Sequence, residues 1–303
     1  TVAQIWQQTF TYLIIMALGY FFKKINLLKA SDSNILSTII INLTLPCMFF
    51  SSALGLSINP LLLLLMVIGL LANILMLIIA HIFIKKESSL LQGVYLISAS
   101  GYDIGNFVLP FVITFFPGLG VIYLSSFNVS NILMSLGLTY AIASNVANAR
   151  NEFQLTYFLK KLISSISLDA YLLVVILAIF KLELPTFITN ITATIGNVNP
   201  FLVMFMIGLK LDFSFNHDNL FMIGKILSLR FISAIILTII TIFLPLPTLA
   251  KTILYLAYFA PLVSVSSILT KKLGYDGSVV AEATSISIII SLIISSIILS
   301  IIS

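Results

Sequence analysis

The sequence predicts an all-α polytopic membrane protein. About ten transmembrane helices are expected, in two inverted five-helix repeats with broken crossover helices at the fourth and ninth spans. Three observations predict it. The 303-residue chain is 60% hydrophobic and only 8% charged, whereas a soluble globular domain carries about 25% charged residues. Its apolar residues fall into runs of the roughly 20 residues that a helix needs to cross a bilayer. Prolines recur inside those runs at matched places. Pro46 and Pro110 are followed about 150 residues later by Pro200 and Pro261.

Taken in order, the first run covers residues 2–22 and ends in Lys23-Lys24. It lacks a basic leader and a small-residue cleavage site, so a retained helix is expected rather than a signal peptide. The second, 34–54, contains Asn42 and Pro46. The third, 60–84, is followed by Lys85-Lys86-Glu87. The fourth, 89–116, is the most polar at its centre. Pro117-Gly118 turns the chain into the fifth, 119–143, which carries Asn128 and Asn131. Residues 1–145 make up the first repeat, and 146–162 a polar cytoplasmic connection. Residues 163–303 make up the second repeat. Its spans are 163–180, 185–209 (interrupted at Asn197-Val-Asn-Pro200), 221–244, 248–269 (with Pro261 inside) and 279–302.

Charge orients these spans. Of the 15 lysines and arginines, all but Lys181 and Lys251 fall near the ends of odd-numbered spans. The positive-inside rule then puts those ends in the cytoplasm and both termini outside, with the cell membrane as the expected location. The pI of about 9.2 is thereby read as topology, and no nucleic acid is expected. Arg230, about a third of the way into its span, is expected to snorkel to the interface, with attraction of an anion or an inward carboxylate partner as the alternatives. Cys47 is the single cysteine and His81 and His217 are far apart, so no disulfide, metal site or cofactor is expected. Five spans per repeat is an odd number, which forces the second copy to insert upside down. In that architecture the site lies where the two broken helices meet near the midplane.

The stretch Gly101-Tyr-Asp-Ile-Gly-Asn-Phe-Val-Leu-Pro110 is therefore the centre of the chain. Pro110 lacks an N–H and is expected to break the helix. Asp103 at mid-depth costs about 2.5–3.5 kcal/mol on insertion scales, which marks a functional site by default. A helix-capping role for its carboxylate is the plainer alternative. Asn106, three residues on, shares its face if that half is helical. Asn128 and Asn131 form a polar stripe that suits interhelical hydrogen bonding and substrate contact equally. Asn197 and Asn199 flank Pro200 and satisfy freed backbone groups or meet substrate. Tyr258, Ser264 and Ser266 surround Pro261 and bind substrate or a cation, or bond back to their own helix. Glu282 holds a coupling cation or pairs with Lys271 or Lys272. Asp169 and Asp276 look interfacial.

These residues carry a family resemblance. Leu18-Gly-Tyr-Phe-Phe-Lys23 and Leu43-Thr-Leu-Pro-Cys47 resemble the first two spans of the auxin efflux carrier family of secondary transporters. That family includes plant auxin exporters and bacterial malate and malonate permeases. Its fourth span has the pattern Asn-x-Gly-x-x-Gly-x-Pro, and here Asp103-Ile-Gly-Asn-Phe-Val-Leu-Pro110 stands in that place. Ala260-Pro-Leu-Val-Ser264 and Gly274-Tyr-Asp276 through Glu282-Ala-Thr284 are similar to its ninth and tenth spans. The resemblance covers essentially the whole chain and rests on order and spacing. It implies a scaffold and a transport domain, crossing helices, homodimers, and a mono- or dicarboxylate such as malate or malonate as substrate. It favours a fifth-span asparagine near the site. The candidate substrate residues are then Asp103, Gly105, Asn106, Pro110, Asn128, Asn131, Tyr258, Pro261 and Ser264, with Asp103 and Glu282 for the coupling ion and further helix breaks expected at Pro46 and Pro200.

Two departures bear on this. The family asparagine is Asp103, and the second glycine is Val108. An ionised Asp103 repels an anion. Either it is protonated when the anion binds, or it binds a cation, or the substrate is not an anion. Burial disfavours a charged carboxyl, which makes Asp103 a candidate coupling group for proton symport. A sodium-coupled symporter of the bile-acid type is the alternative. No Gly-x4-Gly-Lys-Ser/Thr loop is present, so the chain has no ATP site of that kind. It also lacks a His-Glu-x-x-His helix and a second deep aspartate, so no intramembrane enzyme is expected.

Overall fold

The computed structural model describes residues 2–52, 59–148, 166–180, 182, 184–213 and 217–302. Most of the connection predicted at 146–162 lies outside them, as do Arg150, Lys160, Lys161 and Lys181. Regular structure among the described residues is entirely helical. Six of these helices are long and apolar enough to cross a membrane.

Helix α1 is Val2–Lys24. Helix α2 (Ser33–Ile39) runs through a π-helical segment (Ile40–Thr44) into α3 (Leu45–Ser52). Helix α4 is Leu61–Ile84. Helix α5 (Ser89–Ala99) stops, and a π segment (Ile104–Val108) leads on into α6 (Leu109–Phe115). Helix α7 (Leu119–Leu133) continues through a third π segment (Met134–Leu138) into α8 (Thr139–Val146). Then come α9 (Ile166–Ile179), α10 (Thr186–Gly196), α11 (Asn199–Lys210) and α12 (Leu220–Phe243). The last three are α13 (Thr248–Tyr258), α14 (Val265–Lys272) and α15 (Ser278–Ile302).

Polarity is distributed as a bilayer requires. The outer face of α4 exposes Leu63, Leu64, Val67, Leu71, Ile74 and Ile78, while its inner face buries Ala72, Asn73 and Met76. Without a hydrophobic driving force between helices, association relies on close backbone approach at small residues. Helices α1 and α11 meet in that way. A Cβ added to Gly208 would collide with the Met16 carbonyl, and one added to Gly19 would collide with the Phe205 carbonyl. Gly69 of α4 lies as close to the Phe127 carbonyl of α7.

Pro46 does not break its helix, contrary to expectation, and Pro110 is not the break in its own. Each follows a π segment by two residues. The amide of Leu45 reaches back to Ile40 and that of Leu109 to Ile104. This five-residue step widens the turn where the proline ring would otherwise clash with the carbonyl four residues back. Pro110 thus sits in the first turn of α6, and its own carbonyl accepts from Tyr12 Oη (3.1 Å) and Thr114 Oγ1 (2.9 Å). Pro200 follows an interruption at residues 197 and 198, in the first turn of α11.

Two real interruptions remain in the long apolar runs, at residues 100–103 and 259–264. They divide the packing. Buried residues of α5 and α14 share one hydrophobic cluster, and those of α6 and α13 share the other. The first half of one broken run therefore packs with the second half of the other, so the two runs cross.

Candidate functional site

The site is built from backbone that the two interruptions set free. A helix end leaves unpaired N–H and C=O groups, and buried ones must find partners. At the first break Gly101 adopts φ +86°, open to glycine at no steric cost. A Cβ there would also press on Val263 Cγ2 and Ser135 Cβ. Two asparagines take up the freed groups. Asn73 Oδ1 accepts from the Gly101 amide (2.9 Å) and from Ser100 Oγ (3.1 Å). Asn131 pairs with both ends of Tyr102, accepting from its amide (2.9 Å) and donating to its carbonyl (2.8 Å). The Asp103 amide crosses to the other run and donates to the Pro261 carbonyl (3.1 Å). At the second break Ser287 Oγ accepts from the Leu262 amide (3.2 Å).

The exposed carbonyl ends of both breaks converge on Arg230 of α12. Its Nη1 donates to the carbonyls of Ser98 (3.4 Å), Ala99 (3.1 Å) and Gly101 (2.8 Å). Its Nη2 donates to those of Ala260 (3.0 Å) and Pro261 (3.1 Å). The side chain is only 4% exposed, and it also lies over the Tyr102 ring, 5.7 Å from its centroid. Arg230 does not snorkel. The orphaned carbonyls are a better partner than the distant interface, because an intramembrane charge is tolerated when it pairs with backbone carbonyls.

Asp103 sits where the runs cross and is 6% exposed. Its Oδ1 accepts from Asn106 Nδ2 (2.9 Å) and its Oδ2 from Ser264 Oγ (3.2 Å). Lys210 lies half-buried at the end of α11, a helix that packs against the π segment directly after Asp103. Beside this cluster a small cavity is lined by Gly105, Leu124, Ser125, Asn128, Phe49 and Tyr171, among others. Gly105 has open space where a Cβ would be. Asn128 Oδ1 accepts from Asn131 (3.0 Å) at its edge.

The crossing thus brings Asp103, Asn106, Pro261 and Ser264 together, with Gly105 and Asn128 lining the adjacent cavity. Other candidates lie apart. Asn131 bonds the Tyr102 backbone and donates to Asn128 Oδ1, supporting the cavity edge without lining the cavity. Tyr258 bonds Thr241 (3.0 Å) beside an apolar groove with Leu244 and Leu246. Asn199 is fully buried and accepts from Thr44 Oγ1 (2.7 Å). Glu282 accepts from Asn219 Nδ2 at 3.3 and 3.4 Å. No group of metal-ligating side chains occurs among the described residues.

Sequence reasoning missed three residues. Arg230 and Lys210 were counted with the topological charges. Asn73 went unremarked, although a lone amide in so apolar a run as α4 is itself a signal for an interhelical partner. In comparisons with protein-family models and with curated proteins, nothing matches the chain.

Proposed function

We propose that the chain is a secondary active transporter that moves a small organic anion, a mono- or dicarboxylate, by alternating access with proton coupling. One observation carries this reading. Two interrupted helices cross at mid-run, are joined backbone to backbone at Asp103 and Pro261, and hold a buried carboxyl group at the junction. Interrupted helices meeting at the midplane are where such transporters bind substrate and coupling ion. The resemblance to the auxin efflux carrier family agrees with it. With this reading we also propose ten spans in two inverted repeats, a multi-pass place in the cell membrane with both termini outside, and a homodimer. A carrier of this kind is not an enzyme.

Lys210 bears on the aspartate that replaces the family asparagine. With Asp103 ionised, the ammonium is offset by the carboxylate. With Asp103 protonated, its positive charge is free to attract a substrate carboxylate. Proton and anion then bind together, which is symport. The hydrogen bonds permit the change. Asn106 Nδ2 only donates, so Oδ1 remains an acceptor in both states. The Ser264 hydroxyl donates to the carboxylate and can turn to accept from the acid.

Counterflow in proteoliposomes tests the substrate class. Vesicles preloaded with malate, malonate or pyruvate should accumulate labelled substrate from outside, and Lys210→Gln should lose at least tenfold of that rate. Counterflow with cationic or neutral solutes only, and with no carboxylate, would remove the anion reading.

A further inference from the structure

The five carbonyls around Arg230 come from both breaks. In an unbroken helix the carbonyls of Ser98 and Ala99 would accept from the amides of Tyr102 and Asp103. Those amides are turned to Asn131 and Pro261 instead. The two oxygens are left at the C-terminal end of α5, where the helix dipole adds partial negative charge. Gly101 adds a third from the unwound strand. Ala260 and Pro261, just past the end of α13, face them with two more. Five negative dipole ends from two chain segments meet at one buried point, and they repel one another unless a cation lies between them. No carboxylate forms an ion pair with Arg230 among the described residues. Among the described residues its hydrogen-bond partners are these five carbonyls, and it lies over the Tyr102 ring.

Unwound carbonyls and half-helix C-terminal ends are the groups with which broken-helix transporters coordinate a free coupling cation. Here the guanidinium fills that place and is covalently attached to α12. We infer that Arg230 is a tethered cation occupying a carbonyl cage, and that its removal converts the crossing into a binding site for a free alkali cation. The consequence, resting on the transporter reading, is that the native chain couples without sodium. The site itself is a property of the fold and is read without transport.

The test is thermal unfolding of the purified full chain in detergent, titrating sodium chloride against choline chloride at constant ionic strength. Wild type and Arg230→Lys, which both keep a tethered cation, should give the same midpoint in either salt. Arg230→Ser should be less stable in choline. Its midpoint should rise by roughly 3 °C for each tenfold increase in sodium above the dissociation constant. Recovery of folded Arg230→Ser from sodium but not from choline supports the inference equally. It is overturned if that variant responds identically to both salts, if it is recovered from neither, or if wild type is itself stabilised by sodium. Since none of these outcomes involves flux, failure here leaves the transporter reading standing, and loss of that reading leaves the cage standing.

Discussion

The amide of Asp103 donates to the carbonyl of Pro261 over 3.1 Å. This bond ties the acid's own backbone to the opposite broken run. The same Pro261 carbonyl accepts from Arg230. The acid, the second break and the buried guanidinium therefore share one oxygen, and movement of either run is felt at all three.

The serine beside Asp103 should set how readily the proton is exchanged. Ser264→Ala removes a hydroxyl that bonds the acid in either protonation state. Net uptake at an imposed proton gradient should fall about tenfold, consistent with loss of one hydrogen bond to a charged group. Carboxylate exchange at equilibrium should persist, and the two rates measured on one preparation give the comparison.

Asn131 and Asn128, three residues apart on α7, should separate cleanly. Asn131→Ala leaves the amide and carbonyl of Tyr102 buried without partners and should cost about 2–4 kcal/mol. Asn128→Ala, at the cavity edge, should leave stability within about 1 kcal/mol and change apparent substrate affinity. Denaturant unfolding and counterflow on each variant read the difference.

The contact of α1 with α11 should tolerate no side chain at Gly208. Gly208→Leu should abolish the folded protein, because the Met16 backbone cannot yield as a flexible side chain would. Gly224→Ala is the control. It lies within α12 with nothing near its added Cβ, and helix propensity should make it neutral or more stable by up to about 1 kcal/mol. Size-exclusion profiles of the two purified variants are the readout.

Asp276, outside the apolar spans, is held below the usual carboxylate range by the hydroxyl and amide of Ser278. A carboxyl group lowered in the folded state contributes stability above its unfolded value, and that contribution is lost as pH falls through the folded one. Acidification from about pH 4 downward should thus loosen the start of α15. Asp276→Asn should remove that component from a plot of midpoint against pH.

What could be read in the sequence follows from which forces are local. Apolar runs become helices because lipid offers the backbone no other partner, and helices are found at each predicted run. Asp103 and Asn106 were legible as neighbours from their three-residue spacing, although Asp103 lies in the interruption just ahead of the π segment that carries Asn106. The breaks were legible only in part: the interruption at 259–264 contains Pro261, as expected, whereas that of the fourth run lies ahead of its proline. Proline is the visible helix breaker, yet Pro46 and Pro110 are absorbed by π segments, and the interruption falls at Gly101 through a dihedral that no residue pattern displays. Arg230 shows its depth along α12 in the sequence but not the direction it faces. Its five partners are some 30 to 130 residues away, and only the crossing assembles them. Lys210 was hidden for the same reason.

On the proposed function, the proton on Asp103 drives anion movement. The direct measurement is labelled malate uptake into proteoliposomes, for wild type and Asp103→Asn, with and without an inward proton gradient. Wild type should concentrate malate only with the gradient. Asp103→Asn should still exchange malate but no longer concentrate it. Equal accumulation by Asp103→Asn under the gradient would contradict the proposed function, as would accumulation by wild type without one.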